Sequence, residues 1–153
     1  MIVARAMSAI GKGLVAGVIG TAAMTASSSL EMRLRRRPPS TVPAEAAEKV
    51  LDVEPETKRA EERVSAAVHW AYGTGWGLVR GALGFAGITG PLASLLHFAA
   101  VWGAALVTLP AMKLTPPPDE WGADELGIDA WHHLVYAGAA GLAYDLLDRA
   151  DPS

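Results

Sequence analysis

Residues 64–112 contain a single Asp, Glu, Lys or Arg, at Arg80. A soluble domain carries a charge about every four residues. A run this long and this sparsely charged has to be withdrawn from water, in a core or in a bilayer. The composition favours the bilayer. Of the 153 residues, 51% are hydrophobic and only 19% charged, with a mean hydropathy of +0.24. The net charge of −3 gives no basic footprint for nucleic acid. The absence of cysteine removes disulfides, thiol catalysis and cysteine-based metal sites.

Four stretches are low in charge: 13–30, 64–79 continuing past Arg80 to 88, 90–112, and 130–144, which reaches 147 if Asp145 is tolerated. A helix that crosses the hydrocarbon layer needs ~20 mostly apolar residues. None of the four alternates with period two, and four segments cannot close a barrel. The expected fold is therefore all-α: an integral membrane four-helix bundle, one domain over 1–153. Its spans are placed at about 11–31, 64–87, 91–112 and 129–147, with a short amphipathic helix in the first cytoplasmic loop. Pro91 suits a first helical turn, and Pro110 should end or kink the third span. The rival reading of the N-terminus is a secretory signal built on Arg5, Lys12 and the apolar run after them. The dense cluster Arg33, Arg35, Arg36 and Arg37 favours a retained helix, because it resembles the flank of a stop-transfer segment.

Positive charge sets the expected orientation. Loops 32–63 and 113–128 hold nine Lys and Arg, against four elsewhere (Arg5, Lys12, Arg80, Arg149). The positive-inside rule then puts both loops in the cytoplasm and both termini outside. In loop one, Thr41 can cap a helix with Pro43 and Glu45 in its first turn, and Val42, Ala46, Val50 and Leu51 near one face. The polar stretch 55–63 should run straight into the second span. Loop three opens on Thr115-Pro116-Pro117-Pro118, expected to be stiff and extended. Asp119, Glu120, Asp124 and Glu125 then form an acidic patch, with Trp121 and Trp131 as interfacial anchors.

Two sets of residues carry the functional reading. Gly13 and Gly17, and Gly73, Gly77 and Gly81, recur at intervals of four. Such ladders let helices approach closely, either inside one bundle or at a subunit interface or pore. The second set is ionisable: Glu31, His69, Arg80, His97, His132, His133 and Asp145 lie in or beside apolar spans. Ionisable groups at membrane depth turn inward, toward the bundle or a water-filled cavity. At ~1.5 Å per residue, Arg80 and Asp145 lie equally deep in two spans that run in the same direction. They are expected to form an ion pair or share a water pocket, the alternative being that each snorkels to the interface. Glu31, His69 and His133 belong to the cytoplasmic end and His97 to the outer half, so the histidines split into two layers. The stripe His133, Ala137, Gly141, Asp145 is the best candidate for a lining surface.

No metal or cofactor is expected. Adjacent His132 and His133 point about 100° apart on a helix, and His69 with His133 only loosely satisfies a bis-histidine haem. No nucleophile elbow, dinucleotide fingerprint or P-loop is present.

The segment Leu106-Val107-Thr108-Leu109-Pro110-Ala111-Met112-Lys113-Leu114-Thr115-Pro116-Pro117 is followed by an acidic linker and by His132-His133-Leu134-Val135-Tyr136. Over roughly 91–148 this resembles the C-terminal part of the YagU-like family of small bacterial inner-membrane proteins. The resemblance implies a multi-span inner-membrane protein linked to acid tolerance. It supplies His133 as a matching position and no catalytic residue.

The expected function is that of a non-enzymatic, multi-span protein of a bacterial plasma membrane. It would oligomerise through its glycine-rich faces and form or gate a polar pathway for protons or small solutes. The alternatives are an accessory subunit of a larger membrane complex and a histidine-based haem or metal protein. The expected partners are the lipid bilayer and a second copy or membrane-complex partner.

Overall fold

A computed structural model describes residues 1–52 and 55–151. The described residues form five α-helices and no strand. They are α1 (Ile2–Arg35), α2 (Val42–Leu51), α3 (Lys58–Phe85), α4 (Gly90–Ala111) and α5 (Ala123–Ala150), with a short 3-10 turn at Pro118–Glu120 between the last two.

All-α is what the charge pattern called for. The helices nonetheless outrun the stretches from which they were read. α1 begins at Ile2 rather than near 11, and α5 at Ala123 rather than near 129. Hydropathy sees only apolar turns, whereas Asp124 and Glu125 are well placed at the positive end of a helix. Two helices, α1 and α4, are long and apolar enough to cross a membrane. By that measure α3 and α5 do not qualify; their central turns hold few charges, but His, Trp, Tyr and Gly lower their hydropathy.

The connections follow local chemistry. α1 stops where Arg36 turns left-handed (φ 55°), and the Arg37 N–H reaches back to the Met32 carbonyl. α2 starts after Thr41, as expected, but the Thr41 hydroxyl donates to the Glu45 carboxylate at 2.6 Å instead of accepting from the backbone. The polar stretch runs into the second span from Lys58 rather than from residue 55: Thr57 caps α3, its Oγ1 accepting the Ala60 N–H at 3.2 Å. Thr57→Ala is expected to destabilise the protein by about 1 kcal/mol, read from its unfolding midpoint in detergent. α3 and α4 are joined by a four-residue turn, and Gly87 within it (φ 81°) and Gly90 at the start of α4 (φ 66°) take backbone angles that suit glycine. Pro110 lies inside α4, which ends one residue later. The proline-rich loop is not extended throughout, because Pro118 opens the 3-10 turn.

α1 packs antiparallel against both α3 and α5, α4 packs on α5, and α2 lies across the start of α3. α3 and α4 approach each other only sparsely. One end of the bundle holds the start of α1, the end of α5 and the α3–α4 turn. The other end, the loop end, holds the long connections and α2.

The α1–α3 contact is made by the glycines. A Cβ on Gly77 would lie 2.1 Å from the Gly13 carbonyl oxygen, and one on Gly81 2.5 Å from that of Ala9. Gly17 meets the Thr74 backbone and Gly73 the Thr21 side chain just as closely. The ladder is thus consumed inside the chain.

The interior mixes small apolar residues with large polar ones, and long aliphatic side chains face outward. Its largest fully enclosed side chains are Arg80, Tyr136, Tyr144, His97 and Thr21. Leu92 and Leu95 of α4 are each 60% exposed, Val107 69% and Leu142 of α5 64%. The accessible surface is 9287 Å², against about 7,400 Å² for a compact water-soluble monomer of this mass.

Candidate functional site: a buried polar column

The inward-facing polar groups follow one face of α3, at Arg80, Trp76, Gly73 and His69. Their spacing of four, three and four is that of neighbours on a helix face.

Nearest the α3–α4 turn, the Arg80 guanidinium donates from Nη2 to Asp145 Oδ1, the expected ion pair. The arginine side chain is 0% exposed and that of Asp145 18%. The Gly90 N–H at the start of α4 also points at this carboxylate oxygen, at 3.4 Å, adding the positive end of a helix to the pair. The Tyr144 ring lies 4.2 Å from the guanidinium carbon, close enough for cation–π attraction. That ring reaches its place over Gly84, where a Cβ would lie 2.2 Å from the tyrosine hydroxyl. Beside the pair, Lys12 of α1 meets Asp148 of α5 at 3.0 Å.

One turn along α3, His97 of α4 donates from Nε2 to the Trp76 carbonyl at 3.0 Å. A carbonyl only accepts, so this nitrogen carries the proton and Nδ1 keeps a lone pair. That buried Nδ1, together with Nε and Nη1 of Arg80, has no protein partner among the described residues. The His97 ring lies 5.4 Å from that of Tyr136, whose hydroxyl donates to the Gly73 carbonyl at 2.6 Å. Tyr136 fits because Gly20 faces it, where a Cβ would sit 2.8 Å from the ring.

At the loop end, His69 pairs with Thr25 of α1 at 3.1 Å. Thr25 gives its own hydroxyl proton to the Thr21 carbonyl at 2.7 Å, so it accepts from His69 Nε2. His133 donates from Nδ1 to the Asp129 carbonyl at 2.9 Å. Its neighbour His132 is turned the other way and is the more buried of the two. It bonds to Ser27 through Nδ1 at 2.9 Å, with Nε2 4.0 Å from Glu31. Glu31 closes this end as a clamp on the arginine cluster: Arg37 holds its carboxylate at 2.7 Å and Arg35 at 3.5 Å.

The histidines therefore fall in the two expected layers. The stripe His133, Ala137, Gly141, Asp145 does not line open space along its length. Ala137 is buried in the core, and a Cβ on Gly141 would lie 2.0 Å from the Ser94 hydroxyl of α4. The sequence reading missed Tyr136, Tyr144, Lys12 and Asp148. The signal that could have found the tyrosines is an aromatic at the depth of a glycine on the neighbouring helix.

His69, His133 and Tyr136 also line a half-open cavity of about 360 Å³ on the loop-end side of the column, between α3 and α4. Among the described residues, no group of three or more His, Cys, Asp or Glu is arranged to hold a metal ion. No protein-family model, no curated protein and no solved structure matches the chain.

Proposed function

We propose that the chain is a non-enzymatic, four-span protein of a bacterial plasma membrane that carries protons along its buried polar column. The spans are those read from the sequence, with loops 32–63 and 113–128 cytoplasmic. The observation that carries this reading is that Arg80, His97 and Thr21 are enclosed while most large leucines and valines of the helices face outward. In water that surface is a severe liability, whereas in lipid it is the solvent-matched face.

The choice of protons over solutes rests on packing. The glycine faces that could have lined a wide pore are filled by neighbouring backbone and side chains. What remains is a sequence of groups that hold and release protons or hydrogen bonds: Asp145 with Arg80, then His97, Tyr136 and His69. A link to acid tolerance, as the YagU-like resemblance implies, is compatible with such a route. A homo-oligomer would have to meet on an outward aliphatic face, such as those of α1, α4 or α5, since the glycine ladder is already occupied.

Two measurements test the reading. The chain should stay with the membrane fraction in alkaline carbonate, and release without detergent would refute the embedding. In proteoliposomes under a potassium diffusion potential, the wild-type chain should admit protons. Tyr136→Phe keeps the ring and removes one hydrogen bond, worth about 1 kcal/mol of stability. It should reduce the flux to that of empty liposomes while the protein stays folded. Undiminished flux in that variant, or none in the wild type, refutes the column as a route.

A further inference from the structure

We infer that the cavity between α3 and α4 binds an uncharged, bilayer-soluble molecule whose apolar tail ends in a hydrogen-bond donor: a long-chain alcohol, a phenol or a protonated fatty acid. The inference rests on the membrane-embedded reading and goes beyond proton conduction.

The walls decide the charge. Among the described residues, no Asp, Glu, Lys or Arg lines the cavity. A charged head would lose its hydration there with no counter-ion to replace it. Most of the lining is hydrocarbon or aromatic, and the volume falls in the range of small-molecule sites.

The hydrogen bonds already made decide the head group. Thr21 and Thr108 give their hydroxyl protons to carbonyls of their own helices, each at 2.7 Å. Tyr136 gives its proton to Gly73. His69 donates through Nε2 and His133 through Nδ1, and neither second ring nitrogen makes a hydrogen bond among the described residues. What the histidines and the tyrosine oxygen retain is lone pairs. With the Tyr72 hydroxyl and the Trp76 indole N–H, which make no hydrogen bond among the described residues, they match a hydroxyl head that donates and also accepts. A bare acyl chain would fill the apolar part and leave these acceptors unmet.

The openings decide the route. At the loop end α2 roofs the cavity with Val42, Pro43 and Ala46, and Lys49 of α2 ties that roof to the Met112 carbonyl at the end of α4. The cavity is half-open and its wall residue Tyr72 is exposed, so in the embedded protein entry is lateral, from lipid. A second copy of the chain is too bulky an occupant, since a helix is ~10 Å across.

Trp76 lines the cavity and reports occupancy. In nanodiscs, a variant with Trp76 as its sole tryptophan should show saturable quenching by 11-bromoundecan-1-ol. The corresponding methyl ether and the trimethylammonium analogue should bind at least tenfold more weakly. Ala105→Phe, which fills the cavity, should abolish the saturable component, and His69→Phe with His133→Phe should erase the preference for alcohol over ether. The wild-type chain gives a second readout in a higher unfolding temperature with the alcohol. Non-saturable quenching, equal binding of alcohol and ether, tightest binding of the ammonium, or exclusion of the alcohol by a brominated phospholipid would each overturn the inference. A chain that stays in the membrane yet fails these tests overturns this inference alone.

Discussion

Gly77→Leu is expected to abolish the folded monomer, leaving material that elutes as aggregate from detergent and has lost its cooperative unfolding transition. The reason is backbone proximity. The first side-chain carbon at position 77 would lie 2.1 Å from the Gly13 carbonyl oxygen and 2.8 Å from the Gly17 backbone. No rotamer relieves a clash made by Cβ against backbone, so α1 and α3 must separate. Separation undoes the rest of the ladder, because Gly13, Gly17, Gly73 and Gly81 make contacts just as close. It also breaks the Thr25–His69 hydrogen bond. Ordinary overpacking costs ~1–3 kcal/mol, and here even Gly77→Ala should exceed the upper end. Gly75, two residues away on the same helix, has nothing within 4 Å of its would-be Cβ. Gly75→Ala should be neutral or stabilising by up to about 1 kcal/mol, since glycine is a poor helix former. Equal effects at positions 75 and 77 would contradict the close packing of α1 on α3.

That contrast also shows how much of the molecule was legible from residue order. The ladder could be seen as a ladder, but its partner could not. Spacing of four places Gly73, Gly77 and Gly81 on one face and is silent on whether that face meets another helix of the same chain or of a second one. The Arg80–Asp145 pair was legible further, because antiparallel threading at a fixed rise converts position into depth. Depth, however, fixes height and not azimuth. It could not tell which of His132 and His133 faces Ser27 and which the cavity, since adjacent residues differ by about 100° and either rotation of α5 respects the hydropathy. Tyr136 and Tyr144 were overlooked because an aromatic in an apolar span looks like any other apolar residue. Only the facing Gly20 and Gly84 give the two rings their places. The cavity was invisible because it arises from the divergence of α3 and α4 and from where α2 comes to rest, neither of which any local pattern encodes.

The second large effect is expected at the ion pair, and its form separates a packed salt bridge from two independent charges. Arg80→Met and Asp145→Leu should each destabilise the chain by about 3–5 kcal/mol, the usual consequence of leaving one buried charge without its partner. The two losses should not be equal. A guanidinium cannot shed its proton under any accessible condition, whereas one proton converts a lone carboxylate into a neutral acid. The Arg80 side chain is fully enclosed, while that of Asp145 keeps 18% of its surface and the Gly90 N–H. Asp145→Leu strands the charge with no exit and should be the worse of the two. The Arg80→Met, Asp145→Leu double variant removes both charges and should recover most of the loss, since a well-packed apolar replacement of a buried pair is often close to neutral. Equilibrium unfolding of the four proteins in mixed micelles gives the cycle. A coupling of about 3 kcal/mol or more is expected, and simple additivity would mean that the two residues act independently. The double variant should stay folded and yet conduct no protons, because the column then lacks its charged end while its helices remain in place.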